Sequence, residues 1–181
     1  MLTDKTRLNH FPALAGMTYL NTAAESIPPV SVNEALAQYA RDKGLGMRGR
    51  GPHNETLAVC REVTARMIGL QTDEVSFCSC SSEAYNLLAS ALNLGANDEV
   101  VITDLDFPAG VTPWLNAAQP PNVKLWKAKA GALDANDPPA LLNERTRLVQ
   151  ASLVSFFTGH RPDCAPFITT APAPAPPPNA A

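Results

Sequence analysis

Apolar and polar positions along this chain follow two periodicities, and each predicts a different kind of element. Short apolar runs predict β-strands over residues 74–78, 99–103, 123–126 and 147–154. Apolar residues that recur every three or four positions predict helices over 82–94, near 109–118 and from Asp137 onward. Strands that alternate with helices indicate the α/β class, with a mostly parallel sheet flanked by helices.

The segment before the first predicted strand indicates two further helices. Ser31 and Glu34 are spaced as a capping box, which predicts a helix that continues to about Lys43 and ends in the glycine-rich segment after it. Pro52 favours a helix start, and a second helix is predicted from there to about Ile68, with a glycine closing it. We therefore expect helices to precede the sheet.

The junction between the first predicted strand and its helix, residues 77–86, is rich in small hydroxyl and thiol side chains. Unpaired N–H groups at the helix start, the positive end of the helix dipole and the hydroxyls of Ser81 and Ser82 together form an anion site. Cofactor phosphates occupy sites of this kind. The alternative is that one of the two serines only caps the helix, which is predicted to stop at Gly95.

Two more segments follow strand ends, namely residues 104–107 and 155–159. In parallel sheets, ligands bind beyond the carboxyl ends of the strands, so we expect these segments and residues 79–82 to converge. The glycine-rich loop 44–51 carries Arg48 and Arg50, whose guanidinium groups suit a carboxylate or a phosphate. The alternative for this loop is a solvated surface segment without a ligand.

Composition narrows the functions that the chain can carry. Its 181 residues, 45% of them hydrophobic, suffice for one globular unit with a sizeable core. The net charge is −3 and no basic patch with interleaved aromatic residues is present, so no nucleic-acid partner is expected. No apolar run reaches about 18 residues and no leader pattern follows Met1, which predicts no membrane association and a cytoplasmic location. Four scattered cysteines and three scattered histidines predict reduced thiols and no metal site.

Four segments of the chain form an ordered set of motifs: residues 19–24, the serine-rich turn with Glu83 and Asn86, residues 104–108 with 113–114, and residues 154–159. Taken in order, they resemble the class V aminotransferase family of pyridoxal-phosphate (PLP) enzymes, which includes cysteine desulfurases, kynureninase and isopenicillin-epimerase-like proteins. The resemblance extends from about Tyr19 to Asp163. It implies the amino-terminal part of the large domain of a fold type I PLP-dependent transferase, incomplete in this chain.

The resemblance implies roles for individual residues. Ser81 and Ser82 correspond to the ligands of the cofactor phosphate, and Phe107 corresponds to the residue that stacks on the pyridine ring. Desulfurases offer an asparagine to the ring hydroxyl in the region of Phe156 and Phe157, so here Ser155 or Thr158 would have to supply that hydrogen bond. On the substrate side, the implied residues are Asn21, Ala23, Arg48 and Arg50.

Two departures from the family pattern affect these roles. Cys80 stands where many relatives have glycine, and a side chain there restricts how closely the backbone can approach a phosphate. Phe107 replaces the histidine of many relatives and cannot exchange a proton. This second departure favours the epimerase-like and kynureninase-like branches over desulfurases.

In the family, the Schiff-base lysine and the aspartate that pairs with the ring nitrogen follow the Thr-Gly segment, and none of the chain's lysines has the family's context. Residues 164–181 are rich in Pro and Ala and carry one cysteine but no charged side chain, which predicts a disordered or polyproline-like tail. We therefore expect an amino-terminal segment over 1–30, a partial transferase domain over 31–163 and a tail over 164–181. The chain is expected to be truncated and inactive as written.

Two functional hypotheses follow. The first is a PLP-dependent homodimer acting on an amino acid by transfer, desulfuration, epimerisation or lyase chemistry. The second is a non-catalytic remnant that binds phosphate ligands or only pairs with a full-length subunit. A dinucleotide-binding domain is disfavoured because no G-x-G-x-x-G motif follows a predicted strand.

Overall fold

The computed structural model describes residues 3–163. The chain divides after Phe77 into two compact units, here called the helical unit and the sheet unit. The predicted tail over 164–181 lies outside the described residues. Across residues 3–163, no helix combines the length and the apolar character that crossing a membrane requires.

The helical unit consists of three α-helices joined by 3-10 turns. The helices are α1 (Asp4–His10), α2 (Val30–Gly44) and α3 (Arg50–Ile68), and the turns are Pro12–Leu14, Gly46–Gly49 and Thr72–Glu74. Helices α2 and α3 confirm the two helices predicted for this part of the chain. The predicted stop of the second helix is also confirmed, because Gly69 takes the left-handed conformation with φ 73°.

Both helices begin earlier than the sequence pattern predicted. Helix α2 begins at Val30 after the extended residue Pro29, with no side-chain cap, so the predicted capping box of Ser31 and Glu34 is wrong. Since Ser31 already lies inside the first turn, its hydroxyl is not at the capping position. Helix α3 begins at Arg50, two residues before Pro52, because the preceding 3-10 turn runs directly into it.

The strand predicted over residues 74–78 is also wrong. Glu74 ends a 3-10 turn, and its carboxylate accepts the Gln71 backbone N–H at 2.7 Å. Within residues 3–163, no strand pairs with residues 75–78, which follow this turn. Val75 is buried, at 7% exposure, which accounts for the apolar pattern without a sheet.

Among the glycines of the helical unit, Gly49 leaves the least room for a side chain. A Cβ atom on it would lie 1.8 Å from the carbonyl oxygen of Asp42 and 2.5 Å from the carbonyl carbon. These are backbone atoms of α2, so they cannot turn aside as the end of a side chain can. The close approach fixes how the 3-10 turn Gly46–Gly49 lies against the end of α2.

The sheet unit alternates helices and strands. Its elements are α4 (Ser81–Leu92), β1 (Glu99–Thr103), α5 (Pro108–Leu115), β2 (Asn122–Trp126), α6 (Pro138–Leu141) and β3 (Thr146–Val149). The three strands form one sheet in the order β2-β1-β3, and both pairings are parallel. This confirms the predicted parallel sheet with flanking helices.

Boundaries in the sheet unit differ from prediction, most clearly at α4 and β3. Helix α4 ends at Leu92, with Asn93 as its left-handed cap at φ 46°, and does not extend to Gly95. Strand β3 ends at Val149 rather than near residue 154. The Gln150 N–H still pairs with Val101 O at 2.8 Å, but Ser152 N–H turns to the carboxylate of Asp106, so the ladder cannot continue.

Strand β1 is buried along its whole length, and its alternating side chains build a core on each face of the sheet. On one face Val101 packs with Leu105, Trp126 and Leu133. The other face is built from the remaining apolar residues of β1, Val100 and Ile102, which pack with Trp114 of α5.

The first residue of β1, Glu99, is a fully buried acid. Its carboxylate lies 2.6 Å from Lys124 Nζ of β2 and 2.6 Å from Arg145 Nη2, and Asn143 donates to it at 2.8 Å. The hydrogen bond from Lys124 holds the pKa of Glu99 below its ordinary value, and Asn143 and Arg145 act in the same direction, against the opposing effect of burial. This cluster joins all three strands at the amino-terminal edge of the sheet.

Because the folded pKa of Glu99 is lowered, the stability that its ionisation contributes is complete above the ordinary pKa of 4.5 and is lost as pH falls through the lowered value. We expect the thermal midpoint to fall in acid, and the fall to be smaller in Glu99→Gln, measured by circular dichroism. Glu144→Gln, an exposed neighbour, should keep the wild-type fall. Equal acid sensitivity in Glu99→Gln and wild type would contradict this assignment.

Gly49→Ala should lower the free energy of unfolding by about 1–3 kcal/mol, because the new methyl group would have to displace backbone atoms of α2. Gly51→Ala is the matched control, since a Cβ there meets nothing within 4 Å and alanine favours a helix by up to about 1 kcal/mol. Urea unfolding followed by circular dichroism measures both. Equal stability of the two variants would show that the close contact is relieved at no cost.

Candidate functional site

A cavity of about 170 Å³ lies at the carboxyl-terminal edge of the sheet. It is lined by residues from the start of α4, the β1–α5 turn and the segment after β3: Ser81, Tyr85, Asp106, Phe107, Ala109, Gly110, Gln150 and Ser152. We call it the sheet-edge cavity. A wider groove of about 590 Å³ between α4 and α5 is lined by small, apolar and amide side chains without a charged group, so it offers less chemistry.

The turn before α4 already binds two of the chain's own groups. The Glu83 carboxylate accepts the backbone N–H of Ser79 at 2.6 Å and its hydroxyl at 2.7 Å, and these bonds lower the pKa of Glu83, the hydroxyl contributing most. The Cys80 thiol pKa is lowered chiefly by the backbone N–H of Glu83, then by the Ser79 hydroxyl 3.8 Å away. The turn therefore favours negative charge.

Ser81 and Ser82 form the first two positions of α4, and both side chains are exposed. Ser81 lines the sheet-edge cavity, whereas Ser82 does not. The first intrahelical bond of α4 is donated by Ala84 to the carbonyl of Cys80, so the Ser81 N–H has no partner within the helix. The Ser81 N–H and both hydroxyls remain able to bind an anion, which is a fit to a phosphate group.

A chain of buried polar contacts shapes the far wall of the cavity. The indole N–H of Trp114 donates to Gln150 Oε1 at 2.9 Å, and Gln150 Nε2 lies 3.5 Å from Asp106 Oδ2. The other oxygen of Asp106 accepts the Ser152 N–H at 2.6 Å. Gly110 completes this wall, because a Cβ there would lie 2.2 Å from Gln150 Nε2 and would fill the cavity.

Phe107 precedes α5, and its ring borders the cavity while being 53% exposed. The ring of Phe156 meets it edge-on, with centroids 5.0 Å apart and planes at 84°, and Phe156 in turn contacts Phe157. Phe107 is thus held by an aromatic neighbour and keeps an accessible surface. A planar ring bound there could stack on it.

Ser155 and Thr158 do not line the sheet-edge cavity. The Ser155 hydroxyl is buried, donates to Leu105 O at 3.2 Å and accepts the N–H groups of Phe157 and Thr158. Thr158 accepts the His160 N–H through its own hydroxyl at 3.2 Å. Both side chains hold the turn after β3, and a cofactor contact for either stays a prediction that this geometry does not favour.

The residues predicted for the substrate belong to the helical unit. Asn21 opens a turn, since its carbonyl accepts N–H groups from Ala24 and Glu25, and both Asn21 and Ala23 are exposed. Arg48 lies in the 3-10 turn Gly46–Gly49 and Arg50 begins α3, both with exposed side chains. Arg50 lines a second cavity, of about 330 Å³, from which Arg48 is absent.

Six lining residues received no role from the sequence: Tyr85, Asp106, Ala109, Gly110, Gln150 and Ser152. Local signals could have indicated two of them. Tyr85 comes one helical turn after Ser81, and Gln150 interrupts the apolar run of β3. Gly110 gave no such signal, because the side chain that approaches it, Gln150, comes from the segment after β3, far away in the sequence. Among residues 3–163, no group of three or more His, Cys, Asp or Glu side chains could hold a metal ion.

Comparison with known proteins gives sequence relatives along most of the chain. A cysteine desulfurase from Pectobacterium carotovorum subsp. carotovorum is 30% identical over 168 residues, which cover 82% of this chain and 41% of the relative. A probable cysteine desulfurase from Methanothermobacter thermautotrophicus is 28% identical over 167 residues, which cover 88% of this chain and 41% of the relative. The chain thus spans about four-tenths of the length of these relatives. Their names give no support to the preference against desulfurases that Phe107 indicated.

Solved structures resemble the fold as well. The cysteine desulfurase CsdA from Escherichia coli matches with a TM-score of 0.73 and 22% identity, over 93% of this chain and 46% of its own. A C-DES variant with glycine covalently linked to the PLP cofactor matches with a TM-score of 0.80 and 20% identity, over 90% of this chain and 44% of its own. At these identities the likeness shows the fold, and it confirms the predicted fold class.

The sequence profile named aminotransferase class-V matches residues 18–174. This match covers most of the chain and includes the start of α4, the β1–α5 turn and the segment after β3. The order of motifs, the parallel sheet and the profile agree: the chain belongs to the class V aminotransferase family.

Proposed function

We propose that this chain forms part of the PLP-binding site of a class V aminotransferase-like protein that acts on an amino acid. The observation that carries the proposal is the sheet-edge cavity, which joins a helix start rich in hydroxyl groups to an accessible aromatic ring. Ser81 and Phe107 both line it. Sequence and structural relatives that act on cysteine or contain PLP support the same assignment.

The phosphate end of the proposed site is the start of α4. Ser81 offers its N–H and its hydroxyl, and Ser82 adds a second hydroxyl. The positive end of the helix dipole favours an anion at this position. Hydrogen bonds to a charged group contribute about 1.5–3 kcal/mol each, and association itself costs several kcal/mol, so these donors alone support binding no tighter than the millimolar range.

The ring end of the proposed site is Phe107. Its contact with Phe156 limits the orientations of the Phe107 ring, so a pyridine ring would stack on a surface that is already positioned. Asp106, on the same turn, is oriented by Ser152 and holds the segment after β3 close to the cavity. These residues would position the cofactor and limit the access of water.

When bound, PLP acts as an electron sink for the bonds to the α-carbon of an amino acid. No lysine of residues 3–163 lines this cavity. The reaction type within the family, whether transfer, desulfuration, epimerisation or lyase chemistry, therefore depends on groups outside it. Asn21, Ala23 and one of Arg48 and Arg50 remain the proposed substrate contacts. The proposal also includes pairing with a second copy of the chain and a cytoplasmic location. The location fits the free, exposed thiols of Cys60, Cys78 and Cys80, because thiols stay reduced in that compartment.

Pyridoxine 5′-phosphate and pyridoxine test the proposal, because neither has an aldehyde that could modify surface lysines. The double variant Ser81→Ala, Ser82→Ala should weaken pyridoxine 5′-phosphate by at least about a hundredfold and spare pyridoxine, since two hydrogen bonds to the phosphate are removed. Phe107→Ala should weaken both ligands, because both carry the ring. Titration calorimetry on the full chain measures the affinities.

Two variants serve as controls for that titration. Ser90→Ala removes a hydroxyl from α4 that donates to Asn86 O, and Phe157→Ala removes an exposed ring that does not line the cavity. Both should bind like wild type. Unchanged affinity for pyridoxine 5′-phosphate in the double serine variant would place the phosphate elsewhere and defeat the proposal.

Gly110→Ala should reduce pyridoxine affinity and lower the free energy of unfolding by about 1–3 kcal/mol. The methyl group fills the cavity and pushes Gln150 from the indole of Trp114, which leaves buried polar groups without partners. Gly95→Ala is the control, since a Cβ there meets nothing within 4 Å. If Gly110→Ala matches wild type in calorimetry and in urea unfolding, the cavity wall is not as tightly built as its geometry indicates.

A further inference from the structure

A second cavity lies wholly within the helical unit, between the end of α2 and the start of α3. It has a volume of about 330 Å³ and is lined by Lys43, Gly46, Met47, Arg50 and His53. Three of these five residues carry basic groups, and none is acidic. We call it the basic pocket.

The two cations of the basic pocket have no anionic partner among residues 3–163. Neither Lys43 nor Arg50 has a carboxylate oxygen within 4.0 Å, although five other basic residues form such pairs. The nearest acid in sequence, Asp42, accepts the side-chain amide of Gln38 at 2.8 Å. In a chain of net charge −3, this pocket therefore concentrates unpaired positive charge.

The third basic residue, His53, has an unsatisfied ring nitrogen. Its Nε2 atom is buried and has no hydrogen-bond partner. The ring is held by Tyr39 of α2, with centroids 4.6 Å apart and planes at 28°. A buried polar atom without a partner is costly, and His53 also lines the pocket, so a ligand oxygen that reached Nε2 would supply the partner.

The backbone around the pocket is already shaped. Gly46 has a φ of 61°, which glycine adopts without strain, and Gly49 lies directly against the Asp42 carbonyl. The turn that leads into Arg50 is thus fixed to the helix that carries Lys43. A preformed arrangement reduces the entropy that binding must overcome.

We propose that the basic pocket of the helical unit binds a dianionic phosphate group, in addition to the cofactor proposed for the sheet unit. Two uncompensated cations match the charge of inorganic phosphate or a phosphate monoester at neutral pH, and a tetrahedral group offers oxygen atoms to Lys43, Arg50 and His53 at once. A carboxylate has a single charge and a planar pair of oxygen atoms. It would leave part of the pocket's charge uncompensated.

The test is a titration of the full chain with inorganic phosphate at constant ionic strength, followed through histidine-ring resonances. The ring signals of His53 should shift with saturation, while those of His10 and His160 should not. Lys43→Gln and Arg50→Gln should each raise the midpoint on the order of tenfold, and Arg50→Lys should restore part of the loss. Thermal melting of each variant shows whether the fold is kept.

Arg48→Gln is the matched control, because Arg48 lies only two residues before Arg50 but does not line the pocket. It should change the midpoint by less than about twofold, since its charge acts only through screened solvent. The double variant Ser81→Ala, Ser82→Ala should leave the His53 titration unchanged, which separates this proposal from the cofactor site.

Three outcomes would overturn the proposal. One is the absence of a saturable shift at His53. Another is an equal loss in Arg48→Gln and Arg50→Gln, which would show a diffuse attraction of the loop rather than a site. The third is acetate binding as tightly as phosphate, which would make the ligand a carboxylate.

Discussion

The charge of Glu99 is buried at the start of the central strand, and the arrangement of the sheet depends on its compensation. Its partners come from the two strands that flank β1: Lys124 belongs to β2, and Arg145 directly precedes β3. A buried charge that loses a partner is strongly destabilising, so alternative registers of either edge strand are disfavoured. Because the strands are parallel and short, fixing their amino-terminal ends also fixes where their carboxyl-terminal ends open into the sheet-edge cavity.

The turn before α4 uses several of its own hydrogen-bond donors. Cys80 stands at the N-cap position, and its sulfur interacts with the N–H of Glu83. The Glu83 carboxylate in turn uses both donors of Ser79. A phosphate bound at this turn, as we propose, would therefore depend on Ser81 and Ser82.

The parts of the fold that the sequence predicted are those with local causes. The β1 run of apolar residues, the proline that opens α5 and the glycine that ends α3 all act within a few residues, and all three elements are present. The strand expected over 74–78 failed because a strand needs a partner, and partners are set by tertiary structure. The capping box of Ser31 failed because Pro29 starts α2 earlier.

The same division applies to the candidate sites. The serines and Phe107 were identified from motifs, but the contacts among Trp114, Gln150 and Asp106 join residues more than thirty positions apart and have no local signature. For the basic pocket, the sequence indicated only a glycine-rich loop that carries two arginines. Its selection of Arg50 over Arg48, and its inclusion of Lys43, follow from how α2 and α3 pack.

The positions of the two tryptophans have a spectroscopic consequence. Trp114 and Trp126 are the chain's only tryptophans, and they are buried on opposite faces of β1, both in the sheet unit. Intrinsic indole emission therefore reports on the core of that unit alone, from both sides of the same strand. Helical circular dichroism includes the long helices of the other unit, so the two signals together distinguish one cooperative transition from two.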